Sequence, residues 1–266
     1  MLLTLGFSPC PNDTFIFDAL VNKHIDPGPF QFELALEDVQ TLNEWALQDK
    51  LDISKISYGV WPLVKNKYRL LESGGALGNG CGPLLIAREP IAENKVNELR
   101  IAIPGRNTTA HLLFSMVYPQ ARNKVFMVFN EIEQALLDGQ VDAGVIIHEN
   151  RFTYAARGLV KITDLGERWE KTLDCPVPLG AIVVKKTTDE KTAALLEEKI
   201  RESIQWSFDR YPKLSPFVYK HAQEMSEDVM RQHIDLYVNA HSLRLGLKEK
   251  EAIRQLEKVY AAINGD

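Results

Sequence analysis

The sequence predicts an α/β protein built as two lobes with a ligand cleft between them. Three observations carry this. Short apolar, β-branched runs alternate with helical stretches in two series, one over residues 2–56 and one over 99–148. Such β-α alternation is the signature of a parallel sheet with helices on its faces. Two further apolar strands, near 84–89 and 181–186, separate the series and read as crossings between lobes, so that residues 1–85 with 187–266 form lobe one and 90–180 lobe two. At 266 residues the chain is long enough for one large domain or for two smaller lobes.

The elements follow in order. Residues 2–7 read as a strand, and Ser8 to Thr14 as a rigid turn in which Pro9 and Pro11 set the path and Asn12 or Asp13 caps a helix over 15–21. A strand over 30–36, a helix over 39–48 and a strand over 51–56 complete the first series. The glycine-dense stretch 73–83 does not match G-x-G-x-x-G, precedes a strand rather than following one, and lacks a phosphate-loop lysine. It reads as a turn-rich approach to the strand at 84–87. The second series runs as strand 99–103, turn 104–107, helix 108–117, strand 125–129 and helix 131–138, returning to the sheet over 141–148. One more strand spans 178–184. Beyond residue 189 the chain is helical, interrupted at Pro212 and Pro216, with later helices over 226–239 and 248–263.

Composition excludes several classes. A hydrophobic fraction of 45% and a charged fraction of 25% are those of an ordinary globular protein. A net charge of −5 leaves no basic excess to neutralise phosphates, which argues against nucleic acid as a partner. No apolar run approaches the roughly 18 to 20 residues of a membrane span. Cys10, Cys81 and Cys175 are far apart with no C-x-x-C pair, a usage that fits a reducing compartment. With an amino terminus that reads as a strand and not as a signal peptide, the expected location is the cytoplasm.

Candidate chemistry gathers at strand ends, where open α/β sheets bind ligands. His148 closes an apolar run, Gly144 to Ile147, and is followed by Glu149, Asn150 and Arg151. It is either a functional imidazole or a histidine that packs and bonds locally, and Glu149 and Arg151 either orient it or pair on the surface. Thr108 and Thr109 follow a strand and a tight turn, where hydroxyls and free N–H groups suit an anion, although one threonine capping the helix is the commoner case. Lys55 and Ser57 are alternate residues of a strand and point to the same side, which suits a carboxylate or hydroxyl ligand; a solvated lysine is the plainer reading. Ser8, Asn12, Asp13 and Thr14 line the cleft or cap the helix. Cys10 has no histidine partner at recognisable spacing and reads as a packed thiol. The six histidines show no H-x-x-x-H pair and no Cys/His cluster, so no metal site is expected, and no G-x-S-x-G elbow is present. What is left describes general acid/base chemistry on a small polar, anionic molecule.

Several of these stretches together resemble a known family. Gly6-Phe7-Ser8-Pro9-Cys10-Pro11-Asn12-Asp13-Thr14-Phe15, Lys55-Ile56-Ser57-Tyr58, Ser73-Gly74-Gly75-Ala76-Leu77-Gly78, Pro104-Gly105-Arg106-Asn107-Thr108-Thr109-Ala110 and Ile146-Ile147-His148-Glu149-Asn150-Arg151-Phe152-Thr153-Tyr154 are similar to the 1,4-dihydroxy-6-naphthoate synthases of the futalosine route to menaquinone. The likeness covers nearly the whole chain in order. It implies a two-lobed periplasmic-binding-protein-like fold used as a carbon–carbon lyase, converting cyclic dehypoxanthine futalosine to 1,4-dihydroxy-6-naphthoate with release of a three-carbon fragment. On that pattern His148 is the general base, and Lys55, Ser57, Thr108 and Thr109 hold a substrate that carries a carboxylate. The resemblance implies no cofactor and no metal, and leaves open whether the protein is a homo-oligomer. The rival readings are a chorismate dehydratase-like enzyme of the same route, a non-catalytic receptor for a small anion, and the effector domain of a regulator. The histidine followed by Glu-Asn-Arg-Phe-Thr-Tyr favours the synthase.

Overall fold

The computed structural model describes residues 1–222 and 226–265; residues 223–225 and 266, within the range assigned to lobe one, lie outside the described residues. Eleven strands form two sheets among these residues. They are β1 Leu2–Phe7, β2 Gln31–Leu36, β3 Ile53–Ser57, β4 Tyr68–Leu70, β5 Ala76–Gly78, β6 Leu84–Ala87, β7 Ile101–Ile103, β8 Lys124–Phe126, β9 Ala143–Ile146, β10 Val160–Asp164 and β11 Val177–Lys185. The first sheet has the order β2-β1-β3-β11-β4 with β5 paired on β11, and the second has the order β10-β6-β9-β7-β8.

Each sheet is parallel only where the β-α alternation built it. In the first sheet β2, β1 and β3 are parallel, while β11 runs antiparallel to β3, β4 and β5. In the second sheet β8, β7 and β9 are parallel, while β6 runs antiparallel to β9 and β10 antiparallel to β6. A strand delivered from the other lobe has no crossover helix to reverse it, so it enters in the opposite direction. β6 and β11, expected as crossings, are full members of one sheet each. The chain therefore changes sheet between Gly78 and Leu84 and returns between Asp164 and Val177.

Local chemistry explains the main departures from expectation. The helix after β1 starts at Pro11, one turn earlier than expected, with Cys10 at the N-cap and no side-chain cap. Proline is favoured in the first turn because its missing N–H would have no partner there. That start frees Asp13 from capping. The helix Pro11–Val21 is buried along almost its whole length, between the first sheet and the helix Glu190–Phe208. Ser203 and Ser207 donate to the carbonyls of Ile16 and Phe15, satisfying polar contacts in an apolar layer. β5 lies inside the stretch read as a turn-rich approach. β10, Val-Lys-Ile-Thr-Asp, and the helix Leu165–Leu173 were not anticipated. One core cluster joins residues of both sheets, Ile56, Val183, Leu85 and Ile103 among them, so the lobes share an apolar floor. Among the described residues, no helix is long and apolar enough to cross a membrane.

Candidate functional site

The carboxyl ends of β1, β3, β7 and β9 face one another across the two sheets, and a cavity lies between them. β11, antiparallel, brings its amino-terminal residues Leu179 and Gly180 to the same place. Ser8, Asn12, Asp13, Lys55, Ser57, Thr108, Thr109 and His148 all line this cavity. Thr14 does not. Its hydroxyl turns back to the carbonyls of Cys10 and Pro11 inside the helix.

Lys55 is buried, not solvated. Its ammonium pairs with Asp13 Oδ1 at 2.8 Å and donates to the Gly74 carbonyl at 2.9 Å, which leaves one of its three donors for the cavity. Asp13 also accepts from Asn12 Nδ2 at 2.8 Å, from the Ser8 hydroxyl at 2.7 Å and from the Ser8 N–H at 3.2 Å. One carboxylate thus orders the lysine, the serine and the asparagine together. Asn12 Oδ1 is a buried acceptor with no protein partner.

The two threonines divide their work. Thr108 is the N-cap of the helix Thr109–Val117, accepting from His111 N–H at 3.2 Å and donating to the Gly105 carbonyl at 2.8 Å. The Thr109 hydroxyl donates to Leu179 O at 2.9 Å and accepts from Gly59 N–H at 3.0 Å. Both hydroxyls are therefore engaged by protein. What this helix turns to a ligand is its first free N–H groups, with the positive end of its dipole behind them. Gly59 permits the contact, since a Cβ there would lie 2.7 Å from the backbone of Thr108 and Thr109.

His148 follows β9 with φ at 56°, in the left-handed region, a conformation that costs a non-glycine residue about a kcal/mol or more. That turn sends the ring away from the strand's core and into the cavity. Its ring stacks on His233 at 5.7 Å and tilts against Phe129 at 5.0 Å. Burial lowers its pKa to about 4, opposed by the negative charge of Asp13 and helped by the positive charge of Lys55. At neutral pH the imidazole carries a free lone pair.

Cys10, His148 and Glu149 bring potential ligand atoms within 4.8 Å of one another, a grouping invisible to spacing because Cys10 is remote in sequence. Burial first, and the charge of Glu149 second, hold the Cys10 thiol well above its ordinary pKa. A thiol kept protonated is a poor nucleophile. Arg151 is structural: it donates to the carbonyls of Gly80 and Gly82 and to Asp164 Oδ2, pinning the crossing between the sheets. Asn43 stands behind Ser57 and His233 backs His148, and neither was anticipated; Tyr237, in a stretch that also fits the family resemblance, lines the cavity, and no role was expected of it. Asn43 leaves one trace in the sequence, as an amide on the buried face of an amphipathic helix between Leu42 and Ala46. His233 and Tyr237 occupy the apolar stripe of the helix Glu227–Tyr237 with Met230 and Ile234, which reads as core.

Two lobes meeting over a cleft of strand ends define a protein of the periplasmic-binding-protein-like class. Solved structures agree. The chain superposes on a crystal structure of an Archaeoglobus fulgidus protein with a TM-score of 0.93 at 29% identity, covering 99% of this chain and 98% of that one. It superposes on the periplasmic aliphatic sulphonate-binding protein of Escherichia coli with a TM-score of 0.68, covering 99% and 87%; at 13% identity this is a likeness of fold alone. A profile of the menaquinone biosynthesis family matches residues 3–262. The 1,4-dihydroxy-6-naphthoate synthase of Thermus thermophilus is 44% identical over 254 residues, 96% of this chain and 92% of the relative. That of Streptomyces coelicolor is 42% identical over 259 residues, 96% and 91%. The chain belongs to the 1,4-dihydroxy-6-naphthoate synthase family of menaquinone biosynthesis.

Proposed function

We propose that this protein converts cyclic dehypoxanthine futalosine to 1,4-dihydroxy-6-naphthoate by carbon–carbon bond cleavage, with release of a three-carbon fragment and with His148 as general base. The observation that carries the base assignment is a neutral imidazole in left-handed backbone at a strand end, lining the shared cavity. The base removes a substrate proton, the electron pair so released drives the cleavage, and the imidazolium holds the proton for return to the product. The substrate carboxylate lies at the amino terminus of the helix Thr109–Val117, where N–H groups and dipole favour an anion. Lys55 and Ser57 hold its polar groups from the first sheet. Closure of the lobes excludes water from the charge that develops. The three unpaired cysteines fit a cytoplasmic location.

The test is incubation of the purified protein with cyclic dehypoxanthine futalosine, following product by mass and chromophore, with His148→Ala alongside. Product from wild type is expected, with the variant binding substrate but turning it over about 10² to 10⁴ times more slowly. Tight binding without product from the wild type would turn the assignment to a receptor, and an unimpaired variant would remove the base.

A further inference from the structure

The loop that carries Thr108 and Thr109 is gripped across the cleft by one helix of the opposite lobe. The helix Val39–Leu47 packs on β3 and presents Gln40 and Asn43 on one face, three residues apart. Gln40 Oε1 accepts from the Asn107 N–H at 3.0 Å, and Asn43 Nδ2 donates to the Asn107 carbonyl at 3.0 Å. Both backbone polar groups of one residue are thereby taken up from the other side. Gly105 lets the loop come this close: it sits at φ +136°, and a Cβ would fall 2.5 Å from Gln40 Oε1.

Asn43 is fully buried, and its other bonds go to Ser57. Its Oδ1 accepts from the Ser57 N–H at 2.8 Å, and its Nδ2 donates to the Ser57 hydroxyl at 3.1 Å. The two backbone partners settle the amide's orientation, because an N–H can only donate and a carbonyl can only accept. Ser57 Oγ is then an acceptor toward Asn43, and its own proton is left to donate into the cavity. One amide therefore sets the polarity of Ser57 and clasps the loop that leads into the helix amino terminus.

We infer that Asn43 is a positioning residue that couples closure of the cleft to the orientation of Ser57, with Gln40 as the second half of the clasp; this rests on the substrate site proposed above. When the cleft opens, the Asn107 peptide groups pass to water and Asn43 keeps only Ser57. When it closes, Ser57 and the helix amino terminus reach the substrate together. Breaking the clasp lowers the closed population, so bound substrate must supply the closing free energy, and KM rises while kcat is largely kept.

Asn43→Asp disturbs both roles at once, whereas Gln40→Ala touches the clasp alone. The carboxylate still accepts from the Ser57 N–H, but it has no proton for the Asn107 carbonyl and makes the Ser57 hydroxyl donate to it. Gln40→Ala removes the other half of the clasp from a partly exposed position and serves where the first variant folds poorly. In ligand-free protein, amide hydrogen exchange of the 105–109 segment is expected to quicken about tenfold in both variants, with the remainder of the chain unchanged, the loss of about one hydrogen bond's worth of protection. With cyclic dehypoxanthine futalosine, KM is expected to rise about tenfold and kcat to change less than about threefold. Unchanged exchange at 105–109 in both variants overturns the clasp. Faster exchange with unchanged KM overturns its coupling to the substrate site. A fall in kcat at constant KM, with exchange quickened throughout, overturns it in favour of a merely structural role. Should the wild type not turn over this substrate, the functional reading fails while the exchange measurement still decides the clasp.

Discussion

Replacing Asp13 by Asn isolates the electrostatic centre of the site. The side chains of Asp13 and Lys55 are 3% and 5% exposed and lie 2.8 Å apart, so neither charge can turn to water when the other is lost. The neutral amide leaves the buried ammonium without its counter-charge, and because only one end of an amide accepts, it keeps either the bond to Lys55 or the two bonds from Ser8, not both sets. Removing one partner of a buried pair costs about 3–5 kcal/mol, because the remaining charge keeps its desolvation penalty without its compensation. Unfolding entropy near Tm is about 2.1 cal/mol/K per residue, or about 0.56 kcal/mol/K for a chain of this length, so Tm should fall by about 5–9 °C. Scanning calorimetry of wild type, Asp13→Asn, Lys55→Met and the double variant measures this directly. The double variant should be more stable than the sum of the single losses allows, because it leaves neither charge stranded. Losses below about 1 kcal/mol that simply add would refute the claim that this pair is a coupled, desolvated unit.

The lowered pKa of His148 makes a pH prediction whose sign follows from the unfolded reference. With a folded value of about 4 against about 6.5 unfolded, the unfolded chain binds the extra proton between those limits, so stability falls as pH drops from about 6.5 to about 4. The acid limb of kcat/KM should lie near pH 4, the folded value of His148; a limb centred at about 6.5 would show an imidazole in contact with bulk water. Gly59→Ala should raise KM and cost about 1–3 kcal/mol in chemical denaturation, because the new methyl meets backbone and not a flexible side chain. An alkylating reagent at neutral pH, read by mass spectrometry, should modify the partly exposed Cys175 and spare the buried, protonated Cys10 and Cys81; rapid modification of Cys10 would contradict its environment.

The β-α periodicity of residues 2–56 and 99–148 and the position of His148, Ser8, Ser57 and Thr108 at strand ends were legible in the sequence, because both are local. Periodicity is a property of neighbouring residues, and a strand's carboxyl end follows from its direction. The direction and sheet membership of β6 and β11 were not legible, because an apolar four-residue run reads alike in either sheet and either sense. Nor was the chemistry of the site. Lys55 could be solvated or paired until the fold brought Asp13 to it, and Thr109 looked like a ligand donor until Gly59 and Leu179 engaged its hydroxyl. The sequence alone determined which strand ends carry polar groups. The tertiary structure decided which of those groups are consumed by one another and which face the cavity, since a hydrogen bond or an ion pair depends on a partner remote in the chain that no local pattern specifies.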